Sequence, residues 1–265
     1  TALLSSCHIY KSYDRPEDIT ASGLYRDPAA DNDTLASDTT NFGNLPWREV
    51  FTDPQLQSLI EQGLKQNTDL LSAALNVKAA EASLMSARLA YAPSIGLSPQ
   101  GTISSFDKNA ATKTYSLPVT ASWQVDLFGQ LLNSKRNAQV TLKQTKAYRQ
   151  AVQTQVIANI ANMYYTLLML DRQLEITQAT AEVLKRNAET VQALSERSTY
   201  TSAALAQSKA AYAQVLASIP AIQQSIRETE NAMSMLLAQA PQTIQRGVLE
   251  EQQLPEEFSV GVPLQ

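Results

Sequence analysis

Between Gln130 and Arg197 the chain contains neither proline nor glycine. These are the two residues that most reliably interrupt a helix, so so long a clean stretch predicts a single helix of about 100 Å at 1.5 Å per residue. Ordinary globular domains build helices of only ~10–14 residues. Val140, Val152, Val156, Ile160, Met163, Tyr164, Leu167, Leu168, Leu174, Leu184, Ala188, Val191 and Leu194 form a seam suited to side-by-side packing at coiled-coil angles. Ser195 to Ser202 reads as a tight turn. A return helix is expected over Ala203–Gln239, with a kink at Pro220. Taken alone, this segment favours a structural coiled-coil spacer over a hairpin that reaches across a compartment.

Two shorter helices precede it. Asp53-Pro54 supplies an N-cap and a proline at the first helical position, and Leu56, Leu59, Ile60 and Leu64 follow at helical spacing. Gln66-Asn67-Thr68-Asp69 caps and turns. A second helix steps through Leu71, Ala74, Leu75, Lys78, Ala82 and Met85 and is expected to end near Tyr91, before Pro93.

After Pro93 the period changes from that of a helix to two. Ile95, Leu97 and Ile103 fall on one parity and Ser94, Ser98, Gln100, Thr102 and Ser104 on the other. In the next strand Tyr115, Leu117, Val119, Ala121, Trp123 and Val125 share one face, while Thr114, Ser116, Thr120, Ser122 and Gln124 share the other. Strict alternation means one apolar and one wet face. Tyr115 and Trp123 would stand roughly 26 Å apart at the usual strand rise, close to the ~25 Å apolar band of an outer-membrane barrel with its aromatic girdles. Pro118 lacks the N–H that a central ladder uses. The alternation leaves two readings open: an amphipathic hairpin lying on a helix layer, or a pair of membrane staves. The second requires strands from elsewhere, because a lone hairpin leaves backbone groups unpaired in hydrocarbon.

Composition narrows the classes of function. A net charge of -4 with no basic run argues against a nucleic-acid partner. The only histidine is His8 and the only cysteine Cys7, which removes the usual ingredients of His-based catalysis and of metal centres; no metal or cofactor is expected. Glu228/Glu230 and Glu256/Glu257 are acidic pairs that nothing places in a cleft, and Glu250, Glu251, Glu256 and Glu257 read as a solvated connector. Tyr164-Tyr165 reads as packing. No run of ~18 apolar residues appears, so a membrane role has to use lipid or β-strands.

The N-terminal Leu3-Leu4-Ser5-Ser6-Cys7 is similar to a bacterial lipobox. On that reading residues 1–6 are the remnant of a signal peptide, and Cys7 carries the acyl chains that hold the protein at a membrane. The other reading is a small cysteine in a tail. Residues 7–46 look like an extended leader that lies along another part of the molecule.

These pieces together resemble the outer-membrane factor family of TolC-like efflux channels, in its OprM-type lipoprotein branch. The likeness rests on Cys7, on Trp47-Arg48-Glu49-Val50-Phe51-Thr52-Asp53-Pro54-Gln55-Leu56, and on Asn67-Thr68-Asp69-Leu70 with Ala74 and Val77. It rests further on Pro93 opening the hairpin and, most specifically, on Trp123-Gln124-Val125-Asp126-Leu127-Phe128-Gly129 at the strand-to-helix switch. It runs from about Cys7 to Gln265 and covers the first of the family's two tandem repeats.

The resemblance implies a fold that is mainly α with one β-hairpin: a long antiparallel helical hairpin plus two membrane strands. In the full protein this becomes a trimeric twelve-stranded β-barrel on a periplasmic α-barrel. Residues 47–92 and 127–240 would then be the periplasmic helical part, 93–126 the outer-membrane hairpin, and 241–265 a connector toward a second repeat. Tyr115 and Trp123 would be interface aromatics, Leu117 and Val119 would face lipid, and Thr120 and Ser122 would face the lumen. Arg197, Ser198, Thr199, Tyr200 and Thr201 would form the periplasmic tip where an adaptor docks. Family members often carry a glycine in that turn, which this chain lacks.

The implied function is non-enzymatic. It is an outer-membrane channel subunit of a tripartite efflux pump in a Gram-negative cell, a passive conduit for drugs, metals or other toxic small molecules. Its implied partners are two further copies, a periplasmic adaptor, an inner-membrane transporter and outer-membrane lipid. The alternative is a periplasmic adaptor or structural coiled-coil lipoprotein, which would normally add glycine-rich β domains.

Overall fold

A computed structural model describes residues 46–105, 110–197 and 201–252. Cys7, the leader, the tip residues Ser198, Thr199 and Tyr200, and the end of the connector lie outside the described residues. The chain divides into two units. In the first, the described part is a single helical turn, α1 (Trp47–Val50), with the Arg48 guanidinium 4.4 Å over the Trp47 ring. The second, residues 51–253, holds everything that follows.

Helix α2 (Pro54–Gln66) starts where Asp53 accepts hydrogen bonds from the backbone N–H groups of Gln55 and Leu56, at 2.8 and 3.4 Å. Only Asn67 separates it from α3 (Thr68–Leu89). The Asn67 side chain accepts from Leu70 N at 3.0 Å and donates to Leu236 O at 2.9 Å, so one buried amide caps a helix and ties it to the far end of the chain. Helix α4 (Gln130–Glu196) is 67 residues long and α5 (Ser202–Leu236) returns along it. Pro220 sits inside α5.

The core lies midway along α4. Leu56 and Ile60 of α2, Ile160, Tyr164, Leu167 and Leu168 of α4, and Met233 and Leu237 from the end of α5 are almost wholly buried. Each such side chain contributes ~1.5–3 kcal/mol on leaving water. Gly63 lets α2 approach closely: a Cβ there would run into the Ile160 side chain.

Helix α3 departs from expectation. Its buried stripe is Leu70, Ala73, Val77 and Leu84, whereas Leu71, Leu75 and Met85 are exposed. The helix is apolar on two faces, and only one of them meets α4.

The return helix ends at Leu236 rather than Gln239. Ala238 N–H bonds Met235 O and Gln239 N–H bonds Ser234 O, a Schellman closure with Ala238 in the left-handed region at φ 54°. The connector is also less solvated than its acidic residues suggest. Ile244 is buried, Glu250 pairs with Arg172 at 2.9 Å, and a 3-10 turn (Leu249–Glu251) follows.

The two expected strands prove to be four segments: β1 (Ser94–Leu97), β2 (Gln100–Ser104), β3 (Thr112–Ser116) and β4 (Val119–Ser122). β1 pairs antiparallel with β4, and β2 with β3. The register is nevertheless continuous. Leu97 faces Val119 and Gln100 faces Ser116, so the intervening Ser98 and Pro99 match Pro118 and Leu117 with no residue inserted. The ladder breaks because Pro99 and Pro118 have no N–H to donate; a single bond, Ser98 N to Pro118 O at 3.2 Å, bridges the gap.

Candidate functional site: the hairpin and its junction with the long helix

Antiparallel partners in this register share parity, and therefore share a face. Ile95 and Ala121, Leu97 and Val119, Gly101 and Tyr115, and Ile103 lie on one face. Ser94 and Ser122, Gly96 and Thr120, Gln100 and Ser116, and Thr102 and Thr114 lie on the other. The polar face makes cross-strand contacts, a short one of 2.6 Å between Ser94 Oγ and Ser122 Oγ and a long one of 3.5 Å from Thr120 Oγ1 to Gly96 O. On the apolar face the Tyr115 ring lies over Gly101, where an added Cβ would sit 3.3 Å from it.

Both faces are exposed. Tyr115 is 75 % exposed, Val119 68 %, Trp123 67 % and Leu117 62 %, so the greasy face meets no core among the described residues. The hairpin is therefore not laid on any of the described helices, as the first alternative from sequence would have it. Of the site residues expected from sequence, the paired register brings Tyr115 and Val119 to one face and Thr120 and Ser122 to the opposite one, while Leu117 at the ladder break and Trp123 beyond the end of β4 are exposed. No described helix is long and apolar enough to cross a membrane.

The junction explains the Trp123–Gly129 motif residue by residue. Trp123 Nε1 donates to Tyr91 O at 3.1 Å, pinning the strand exit to the chain leaving α3. The Asp126 carboxylate accepts from Leu132 N at 2.9 Å, so it caps the long helix from outside and places negative charge at its positive end. Gly129 takes the N-cap position at φ 73°, a conformation that favours glycine. Leu127 and Phe128 point outward, at 79 % and 95 % exposure.

Sequence reading missed a second constellation, about 50–60 Å down α4 from its start. Arg246 of the connector donates twice to Asp171, Nε at 2.5 Å and Nη2 at 2.8 Å, and through Nη1 to Glu230 at 2.6 Å and to Ile244 O at 2.9 Å. The Asp171 hydrogen bond raises the guanidinium above the usual arginine range, against burial, with Glu230 adding to it. Glu230 is thus a buried partner, not a solvated acid. Beside it Tyr164 OH donates to Asp53 at 2.5 Å and accepts from Gly247 N at 3.0 Å, and Gln252 Nε2 donates to Asp53 at 2.8 Å. Burial raises the Tyr164 phenol strongly, and the Asp53 hydrogen bond adds to that. Burial also pushes the Asp53 carboxyl up, but the hydrogen bonds from Tyr164, Gln252, Gln55 and Leu56 outweigh it and hold the group below its ordinary value. A lone basic residue 75 positions from its partner leaves no local sequence signal.

At the tip, Arg197 N–H bonds Leu194 O at 3.2 Å, and the Thr201 side chain caps α5 by accepting from Ala204 N at 3.3 Å. Among the described residues no cluster of His, Cys, Asp or Glu could hold a metal ion.

The family model described as "Outer membrane efflux protein" matches residues 59–239. The cation efflux system protein CusC of Escherichia coli K12 is 26 % identical over 273 residues, covering 99 % of this chain and 58 % of CusC. The probable efflux pump outer membrane protein TtgC of Pseudomonas putida KT2440 is 28 % identical over 193 residues, 70 % of this chain and 40 % of TtgC. Among solved structures, the outer-membrane channel OprN superposes with a TM-score of 0.74 at 22 % identity, over 85 % of this chain and 52 % of OprN. A CusC crystal structure gives 0.71 at 24 %, over 83 % and 51 %. The chain spans about half the length of these proteins.

Proposed function

Because the chain belongs to the outer membrane efflux protein family, which is not a family of enzymes, we propose that it forms part of an outer-membrane efflux channel. The observation that carries this reading is the hairpin: continuous in register, two-faced and uncovered on both faces. Its apolar face, with Leu117 and Val119, turns to lipid. Its polar face, with Thr120 and Ser122, lines the lumen, and Tyr115 and Trp123 mark the interfaces. The open edges of β1 and β4 pair with strands of other repeats and subunits, since no strand edge is tolerated in hydrocarbon.

The whole protein, on this reading, is a trimer with a periplasmic helical tunnel and is lipid-anchored through Cys7. It passes small toxic molecules outward passively. An inner-membrane transporter drives the flux, and an adaptor docks at the tip around Arg197–Thr201. CusC is named for cations and TtgC for an efflux pump; the shared step is export, and selectivity rests with the transporter. The adaptor alternative loses ground because the family and the relatives are described as outer-membrane efflux proteins.

The test places lysine on each face. Val119→Lys puts a charge into hydrocarbon, at about 2–4 kcal/mol near the midplane, whereas Thr120→Lys puts it into water. Outer-membrane fractionation of the two variants should show assembly lost for the first and kept for the second. Equal tolerance at both positions refutes the facing.

A further inference from the structure

The long helix is electrically divided. From Gln130 to Leu170 it carries Lys135, Arg136, Lys143, Lys146 and Arg149 and no acidic residue; from Asp171 to Glu196, five acids outnumber three basic residues. The basic half is the half that joins the hairpin. Its first two cations lie within about 10 Å of the helix start. Arg88 joins them from the last turn of α3, the helix that leads into β1. Arg88 and Arg136 are exposed, and the half-buried Lys135 places its Nζ 5.9 Å over the Tyr91 ring. Tyr91 is the residue whose carbonyl holds the Trp123 indole. Among the described residues, Lys146 alone of these six cations has a carboxylate partner, Glu81 at 3.4 Å. Leu127 and Phe128, the most exposed apolar side chains of the junction, are neighbours in sequence to this collar.

We propose that Arg88, Lys135 and Arg136 form a collar that binds the phosphates of anionic phospholipids in the leaflet surrounding the base of the hairpin. The inference rests on the membrane reading of the hairpin and adds a partner to it. Three chemical arguments select a lipid. Among the described residues none of the three cations has an ion-pair partner, and the one carboxylate at the helix start, Asp126, is engaged by Leu132 N, so in a chain of net charge -4 the positive field is local and not a property of the whole molecule. They stand beside outward-facing apolar and aromatic groups, the arrangement in which a basic side chain lays its stem along hydrocarbon and its charge among headgroups. They also lie at one edge of the Tyr115–Trp123 band, where the acyl region ends and phosphates begin. Each cation near an anionic surface strengthens association roughly fivefold.

The experiment uses the assembled protein extracted from its own membrane, in a background where Trp47 and any tryptophan elsewhere in the assembled subunit are replaced by phenylalanine, so that Trp123 alone reports. It is reconstituted into phosphatidylcholine vesicles in which about a third of the lipid is tail-brominated, either as phosphatidylcholine or as phosphatidylglycerol. Bromine quenches an indole it touches. Stronger quenching by the brominated phosphatidylglycerol, severalfold in relative association, is the expected result. The variant Arg88→Gln/Lys135→Gln/Arg136→Gln should bring the two lipids to equality while Trp123 remains quenched. The matched distal variant Lys185→Gln/Arg186→Gln/Lys209→Gln should retain the preference. Equal quenching by the two lipids in the unaltered protein overturns the collar and leaves the membrane hairpin standing. Absence of quenching by either overturns the hairpin reading itself. Loss of preference in the distal variant, or its abolition by millimolar inorganic phosphate, overturns the site in favour of general charge or of a free anion.

Discussion

Replacing Arg246 by methionine tests whether the mid-helix clamp holds the connector. Methionine keeps an apolar stem of similar length and removes the guanidinium. Four hydrogen bonds disappear, two to Asp171, one to Glu230 and one to Ile244 O. Asp171 is 40 % exposed and can turn to water, so its share is at most ~1 kcal/mol. Glu230 is only 10 % exposed and is left without its counter-charge. Removing one member of a buried pair costs ~3–5 kcal/mol. Taking ~3 kcal/mol, and ~2–4 °C per kcal/mol for a domain of this size, thermal unfolding followed by far-ultraviolet circular dichroism should fall by about 6–12 °C. The double variant Arg246→Met/Glu230→Met removes the stranded charge and should recover to within ~1–2 kcal/mol of the unaltered chain; the deficit left is the share of Asp171 and the two backbone groups of Ile244, whose N–H bonds Glu230 at 3.4 Å and whose carbonyl bonds Arg246 at 2.9 Å. A single variant that melts within 2 °C of the parent, or a double variant as unstable as the single one, refutes the assignment of Glu230 as the residue that needs Arg246.

Ala238→Gly should stabilise the chain by about 0.5–1 kcal/mol, because glycine occupies the left-handed Schellman position at φ 54° without the Cβ penalty; a lowered urea midpoint contradicts that reading of the helix end. The pH profile of the urea midpoint should fall at both extremes. Asp53 has a depressed folded pKa, so its contribution is present above the ordinary aspartate value of 3.8 and is lost as pH drops through the folded value. Tyr164 has a raised folded pKa, so its contribution is full below 10.0 and is lost as pH climbs beyond it. Tyr164→Phe should be weaker near neutrality by ~1 kcal/mol and should lose less on going above pH 10 than the parent; parallel profiles count against the Tyr164–Asp53 pair.

Local chemistry was legible without coordinates. The Asp53 cap, the Asn67 break and the unbroken run from Gln130 each follow from one residue's effect on its own few neighbours, and the structure places α2, α3 and α4 accordingly. The two faces of the hairpin were legible too, because strand periodicity is a property of the backbone itself. Pro118 was visible as a difficulty, but its resolution was not. That depends on Pro99 standing in the matching gap of the opposite strand, a pairing fixed only when the register is known.

The sequence by itself determined the long helical segments, the alternating stretch and the caps that open α2 and α3, since these depend on interactions spanning four residues or fewer. Only the tertiary structure decided which of the two apolar stripes on α3 is buried, that Glu230 lies inside an ion pair, and that the connector folds back to meet Asp171 and Asp53. Those outcomes join residues tens to nearly two hundred positions apart. A side chain's burial and charge partners are set by what the rest of the chain brings to it, and no local pattern records that.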